Sequence, residues 1–342
     1  MLGLAGMKAF FSEHQSKHAP ALELQNGELV PHAESQARVD AIRGALNDVD
    51  APSDFGLAPI LAVHEPGYVD FLRRAYGDWV AAGRPGDAFP YVFPIKGRRP
   101  LNLARIDAEL GQYAYDCGTP VATGTWDTVY WSAQSALSAL AHVLGGARSA
   151  FAFCRPPGHH AGADYMGGYS YLNNAAICAE RALAQGAGKV AVLDVDYHHG
   201  NGTQDIFYAR EDVLTVSLHA DPKTDYPFYW GHEDETGEGQ GAGFSLNLPM
   251  PRGTVWRDYE LKLIQAIERV QAFSPDLLIV PYGADTYAGD PISYFSIETQ
   301  DYTEMARLIA RLDLPTLICM EGGYAVDALG ANVAAFLSGF EA

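Results

Sequence analysis

Four cysteines in 342 residues, none of them in a C-x-x-C pair, leave little room for thiolate chemistry. Cys117, Cys154, Cys178 and Cys319 are widely spaced. That spacing argues against a thiolate metal site or a disulfide framework and fits a reducing cytoplasm. Three of the four sit in or beside apolar runs, where a free thiol behaves as a small buried hydrophobe. No apolar tract reaches the length of about 18 residues needed to cross a membrane. The opening MLGLAGMKAFF lacks a basic flank and a small-residue cleavage site, so no signal peptide is expected. Either Met1 or Met7 can serve as the start, and KAFF after Met7 has the pattern of a first strand. Basic residues are also scarce: 23 Lys and Arg stand against 42 Asp and Glu, a net charge of −19. A field of that sign repels nucleic acid and anionic membranes and favours cationic ligands. Internal repeats, low-complexity tracts and inter-domain linkers are absent, and a single domain over residues 1–342 is expected.

Several short apolar, β-branched runs have the character of buried parallel strands: KVAVLDVD (189–196), DVLTVSLH (212–219), PDLLIVPYGAD (275–285) and LPTLICMEGG (314–323). Helical patterns stand between them. NNAAICAERALAQGAG (173–188) opens on asparagine capping signals and closes at glycine, and WRDYELKLIQAIERVQAF (256–273) spaces its apolar residues helically. The alternation implies a three-layer α/β/α domain around a central, mostly parallel sheet of about eight strands. Ligands of such sheets bind beyond the carboxyl ends of the strands. The clusters HHG, DVDYHH, SLHAD, GADTY and EGGY all fall at that end. Residues 84–124 differ, being rich in Pro, Gly, Arg and aromatics and carrying much of the chain's positive charge. A long structureless stretch of this kind is usually functional or an interface.

LDVDYHHGNG is the most informative segment. On an extended chain Asp194, Asp196 and His198 lie two apart and share a face. Carboxylates and imidazole without thiolate suit a divalent metal such as Zn²⁺ or Fe²⁺. Asp285, ending another apolar strand, completes a set of three ligands with Asp196 and His198 and leaves positions open, as in catalytic sites. The competing reading is that Asp194 and Asp196 only cap the next helix. The adjacent His159 and His160 of RPPGHH then acquire a task, because metal-assisted amide cleavage needs a base for the attacking water and an acid for the leaving amine. Tyr324 follows two glycines in MEGGY and can present a phenol to an oxyanion.

Taken in order, RPPGHH, GGYSYLNN, DVDYHHGNGTQ, VSLHAD, GADTYAGDP and MEGGY resemble the zinc-dependent deacetylases of the arginase/histone-deacetylase superfamily. The resemblance runs from about Phe10 to the C-terminus. Asn201 in HHGNG and Glu321 in EGGY lean toward the class II and bacterial acetylpolyamine amidohydrolase branch. The resemblance implies zinc on Asp196, His198 and Asp285, with His159 paired to Asp194 and His160 to Asn201. His160 is then the general base and acid, His159 its electrostatic partner and Tyr324 the carbonyl polariser. A first potassium site falls on Asp194, Asp196, His198, Ser217 and Leu218, and a second on Phe207, Arg210 and Val213. Gly168, Tyr169 and Tyr226 are expected to wall a narrow tunnel. The 84–124 segment is similar to the insertion with which bacterial acetylpolyamine amidohydrolases form dimers and narrow their mouths.

What the resemblance implies about substrate is divided. Glu23, in LELQNGELV, matches an acid of the N-terminal loop that holds remote ammonium groups in the polyamine enzymes. Asp116, in YAYDCGTP, resembles instead the aspartate with which histone deacetylases grip a peptide backbone. Ile292 stands near the mouth where one eukaryotic polyamine deacetylase has glutamate. The expectation is a cytoplasmic, homodimeric enzyme that hydrolyses acetylated polyamines by metal-activated water attack. Protein acetyl-lysine is the alternative substrate. A two-manganese ureohydrolase would need more bridging aspartates than YGADTY and DVDYHHGN offer, and a non-catalytic binding module would not need every catalytic position filled.

Overall fold

A computed structural model describes residues 7–25, 27–95 and 103–341. Met1, the Asn26 of LELQNGELV and residues 96–102 of the 84–124 segment lie outside the described residues. The chain begins with β1 (Ala9–Phe10), a hairpin of β2 (Leu22–Gln25) and β3 (Glu28–Pro31), α1 (Ala37–Arg43) and β4 (Val49–Asp50). Helices α2 (Ala58–Leu61), α3 (Pro66–Ala81), α4 (Ile106–Gln112) and α5 (Thr125–Leu144) lead to β5 (Ser149–Ala152). Then follow α6 (Asn174–Ala184), β6 (Val190–Asp194), α7 (Asn201–Phe207), β7 (Val213–Ala220) and β8 (Ser245–Met250). The last third holds α8 (Trp256–Phe273), β9 (Leu277–Tyr282), α9 (Thr299–Ala310), β10 (Thr316–Met320) and α10 (Val326–Phe340).

Eight strands pair in the order β4-β1-β5-β10-β9-β6-β7-β8, every pair parallel. The period of two assigns side chains to faces. In β9, Leu278, Val280 and Tyr282 join a core shared with α8, α9 and α10, while Leu277 and Ile279 face α3, α5 and α6 across the sheet. Burial on both faces explains why these strands are apolar throughout rather than alternating. Helix α8 spans the length its periodicity predicts, burying Tyr259, Leu263, Ala266, Val270 and Phe273 at intervals of three and four. In α6 the Asn173 side chain accepts from the Ala176 amide, the capping bond its sequence anticipates.

Consecutive strands β5 and β6 are not neighbours, because β10 and β9 lie between them. The crevice over the carboxyl ends of these four strands is where a doubly wound sheet binds its ligand. Of the five polar clusters, three follow their strands, DVDYHH begins on the last residue of β6, and Ser217, Leu218 and His219 lie inside β7. The 84–124 segment is not structureless where it is described. It carries α4, and its ends meet in an antiparallel bridge between Ala88 and Val121. Asp107, at the start of α4, binds Arg84 at 2.7 Å and Arg105 at 2.5 Å, and Glu109 reaches Arg74 of α3 at 2.7 Å. Tyr91, Val92 and Ile95 of this segment are exposed. No helix among the described residues is long and apolar enough to cross a membrane.

A buried ionic clasp fastens the chain's beginning to the crevice. The Glu34 Oε1 atom accepts from Arg38 Nη1 at 2.7 Å and from Arg155 Nε at 2.8 Å. Arg38 also donates to the carbonyls of Glu321 and Gly323 at 2.6 and 2.7 Å, and Arg155 to that of Gln15 at 2.6 Å. All three charged residues are buried. Removing the one anion would strand two guanidiniums in the interior, which costs about 3–5 kcal/mol. Glu34→Ala is therefore expected to lower the urea unfolding midpoint by a corresponding amount, and an unchanged midpoint would contradict the clasp's role.

Candidate active site

Past the last residue of β6 the chain keeps its alternation. Val195 and Tyr197 point into the core, and Asp194, Asp196 and His198 turn the other way. Asp285 arrives from the end of β9. One ligand atom each of Asp196, His198 and Asp285 lie within 4.8 Å of one another. His198 Nδ1 stands 3.0 Å from Asp285 Oδ2 and 3.4 Å from Asp196 Oδ1. Backbone amides hold the carboxylates in place: Gly322 donates to Asp196 Oδ2 at 2.8 Å and Tyr197 to Asp285 Oδ1 at 3.0 Å. A Cβ at Gly283 would come within 1.9 Å of Asp196 Oδ2, so only glycine leaves room for this approach.

The donor set fits a divalent cation. Burial opposes charge on His198, yet its bonds to Asp196 and Asp285 push its pKa up to about 10. A point that draws a proton so strongly is one at which two buried carboxylates demand positive charge. The capping alternative does not hold for α7, whose first turn receives no side-chain cap. Asp194 Oδ1 instead takes the Asp196 amide at 3.1 Å.

The two histidines have unequal partners. His159 Nδ1 lies 2.9 Å from Asp194 Oδ2, and His160 Nδ1 lies 2.7 Å from Asn201 Oδ1. Burial works against charge on His159, but Asp194 and Asp196 outweigh it and raise the pKa to about 10. Burial drives His160 well below its ordinary value, helped by the charges of His159 and His198. Beneath the pair, Glu321 Oε2 accepts from the amides of Gly158 at 2.6 Å and His159 at 3.1 Å. Burial pushes this carboxyl up to about 7. Tyr324 is oriented from behind: Asp290 Oδ2 accepts its amide at 2.7 Å and that of Ala325 at 3.2 Å, and the Arg38 guanidinium lies 5.1 Å from its ring centre. Burial holds the Tyr324 phenol well above its ordinary pKa, against the pull of Arg38, so it stays a donor.

A cavity of about 330 Å³ reaches His160, His198 and Tyr324 and is bordered by Gly168, Tyr169 and Tyr226. Gly168 and Tyr169 both have positive φ, 53° and 62°. A Cβ on Gly168 would stand 2.2 Å from His160 Cδ2. The side chains of Glu23, Asp116 and Ile292 also border the cavity. Glu23 lies on the hairpin strand β2, not on a loop, and it is the one buried residue of that strand while its flanking leucines are exposed. Burial raises its carboxyl pKa, opposed by the Tyr169 hydroxyl. Asp116 is held by its neighbours. Its Oδ2 accepts from the Gly168 amide and the Tyr226 hydroxyl, each at 2.7 Å, and its Oδ1 from the Gly118 amide at 3.0 Å.

Of the residues assigned to potassium, Ser217 pairs with Asp194 across the β6–β7 ladder and Leu218 follows it. Phe207, Arg210 and Val213 share the turn from α7 into β7, where the Arg210 amide donates to the Phe207 carbonyl at 3.0 Å. Sequence reasoning missed Glu34, Arg38, Arg155 and Asp290. Arg155 and Asp290 stood inside quoted motifs, and an aspartate before proline, as in GDP, is a signal for a side chain that captures loop amides.

A histone deacetylase domain model matches residues 32–340. "Acetylpolyamine amidohydrolase 2" of Pseudomonas aeruginosa is 47% identical over 340 residues, covering 98% of this chain and 99% of that protein. "Acetylpolyamine amidohydrolase" of Mycoplana ramosa is 43% identical over 97% of this chain and 99% of its own length. The crystal structure of an acetylpolyamine aminohydrolase from Burkholderia pseudomallei superposes with a TM-score of 0.94 at 42% identity, covering 98% of this chain and 99% of the other. The chain belongs to the histone deacetylase family, and it is a deacetylase of the metal-dependent hydrolase type.

Proposed function

We propose that the chain removes acetyl groups from acetylated polyamines and diamines with a single zinc ion held by Asp196, His198 and Asp285. The observation that carries this reading is the cavity itself: one space reaches His198 of the three-ligand cluster, His160 of the histidine pair and the buried Glu23. Relatives named for acetylpolyamine hydrolysis, 47% and 43% identical over nearly their whole length, support the same substrate class.

A divalent ion at the cluster supplies a Lewis acid for the acetyl carbonyl. The chain's own residues supply the rest. An amide oxygen only accepts, so the His160 proton sits on Nδ1 toward Asn201 and leaves Nε2 free. His160 Nε2 takes the proton of the attacking water and returns it to the departing amine. His159, held cationic by Asp194, stabilises negative charge developing beside it without moving a proton. Tyr324 donates its hydroxyl to the carbonyl oxygen as charge grows there. Potassium at the Asp194–Ser217 ladder would brace the segment that carries the zinc ligands. The exposed Tyr91, Val92 and Ile95 suit burial against a second copy, which would place the 84–124 segment beside the mouth of a cytoplasmic homodimer.

The substrate reading is tested by comparing N-acetylcadaverine with an acetyl-lysine peptide. The expected kcat/KM is at least about tenfold higher for the diamine, and the reverse order would favour protein acetyl-lysine. The division of labour between the histidines has its own test. Asn201→Asp places a carboxylate opposite His160 and raises its pKa by about one unit or more. His160 must be unprotonated to act as base, so the acid limb of the kcat/KM profile is expected to move to higher pH. An unmoved limb with intact folding would remove His160 from that role.

A further inference from the structure

The cavity mouth carries one feature that polyamine recognition leaves unused. Arg252, on the connection between β8 and α8, borders the cavity and is the one lysine or arginine among the described residues that do so. A guanidinium at the entrance offers only donors, which the remote ammonium of a bare acetylated diamine cannot use. Its placement is nevertheless built. Arg252 Nε donates to Asp225 at 2.9 Å, Nη2 donates to the Thr224 carbonyl at 3.2 Å, and the guanidinium lies 3.9 Å from the Tyr294 ring centre. Asp225 is itself fixed by the Tyr197 hydroxyl at 2.8 Å. Nη1 has no hydrogen-bond partner among the described residues, and the side chain is 49% exposed. An arginine held this rigidly on one edge presents its other edge as a preformed donor pair for a carboxylate.

The remaining polar groups of the cavity sharpen the point. Asp116 has its oxygens engaged by Gly168, Tyr226 and Gly118, and Asp225 is engaged by Arg252 and Tyr197. Glu23 Oε2 is buried without a hydrogen-bond partner and lies 4.0 Å from His32 Nε2. Position 292 is isoleucine and adds no acid to the wall. Among the charged groups of the rim two functions are open: an acceptor on Glu23 that suits an ammonium, and a donor on Arg252 that suits a carboxylate. A diamine answers only the first.

We propose that Arg252 binds the α-carboxylate of side-chain-acetylated α-amino acids, so that free diamino acids acetylated on the distal amine are a second substrate class of this site. Nε-acetyl-lysine is N-acetylcadaverine with a carboxylate added beside the free amine, and it offers both charges. A peptide-embedded acetyl-lysine offers neither, because both α-groups are amides. The proposal rests on the reading of the cavity as the acetamide tunnel of a deacetylase.

The test compares kcat/KM for Nε-acetyl-lysine and Nε-acetyl-lysinamide, which differ only in the carboxylate, with N-acetylcadaverine alongside. The wild-type enzyme is expected to prefer the carboxylate by about fivefold, the scale of one half-exposed ion pair. Arg252→Met should abolish the preference, and Arg252→Lys should keep part of it. Both substrates are read on one preparation, so partial unfolding lowers both rates and leaves their ratio. A ratio equal in wild type and Arg252→Met, or no turnover of Nε-acetyl-lysine by the wild type, overturns the proposal. Failure to process N-acetylcadaverine contradicts the polyamine reading alone and leaves the ratio to decide this one.

Discussion

A cluster of buried carboxyl groups at the carboxyl ends of β5, β6, β9 and β10 is the constraint on which the rest of the molecule depends. Asp194, Asp196, Asp285 and Glu321 are all buried there, inside one crevice. Carboxylates in such a place persist only if hydrogen bonds and positive charge surround them. The backbone supplies the first through the amides of Gly158, His159, Tyr197 and Gly322. His159 supplies part of the second, and the three-ligand cluster is arranged to take the remainder from a cation.

Other features follow from that demand. The loop after β10 must bring Gly322 against Asp196 and still aim Tyr324 into the cavity, and it is gripped from two sides. Asp290 captures its amides, and Arg38 captures its carbonyls. Arg38 can sit in the interior because Glu34 balances it, and Glu34 in turn balances Arg155, whose segment leads into the histidine pair. The clasp and the catalytic loops are thus one continuous structure. The tunnel wall obeys the same closeness: Gly168 takes a positive φ that glycine adopts without strain, and a side chain there would displace His160.

Much of the core of this arrangement is legible in the sequence, for local reasons. Alternation on an extended chain puts Asp194, Asp196 and His198 on one side of DVDYHH, and the apolar Val195 and Tyr197 confirm the other. Helix α8 is legible because its apolar spacing is regular from Trp256 to Phe273. The clasp is legible only in its local half: Glu34 and Arg38 stand four apart, but Arg155 and Glu321 reach them because β1, β5 and β10 are adjacent, and strand order is a long-range property. The 84–124 segment misleads for the opposite reason. Its short helix α4 buries Ile106 and Leu110 one turn apart and is tied by ion pairs to Arg84, Arg105 and Arg74, and a single turn of apolar spacing is too short to announce a helix. The partners of Asp116 are not legible either, because Gly118, Gly168 and Tyr226 lie on three separate segments.

The division of the mouth into an acidic hairpin side and an arginine side suggests how one hydrolytic centre can serve substrates of different charge. On that proposal, selection happens at the rim, by groups that do not touch the scissile bond, while the charge balance at the crevice is common to all substrates. That balance is open to direct measurement. Chelator-stripped protein titrated with Zn²⁺ in a calorimeter should bind a single ion per chain and release a proton from His198 as it does so. Asp285→Ala should lose that binding while remaining folded. Absence of stoichiometric binding, or equal binding by Asp285→Ala, would contradict the claim that the buried carboxylates are organised around a cation.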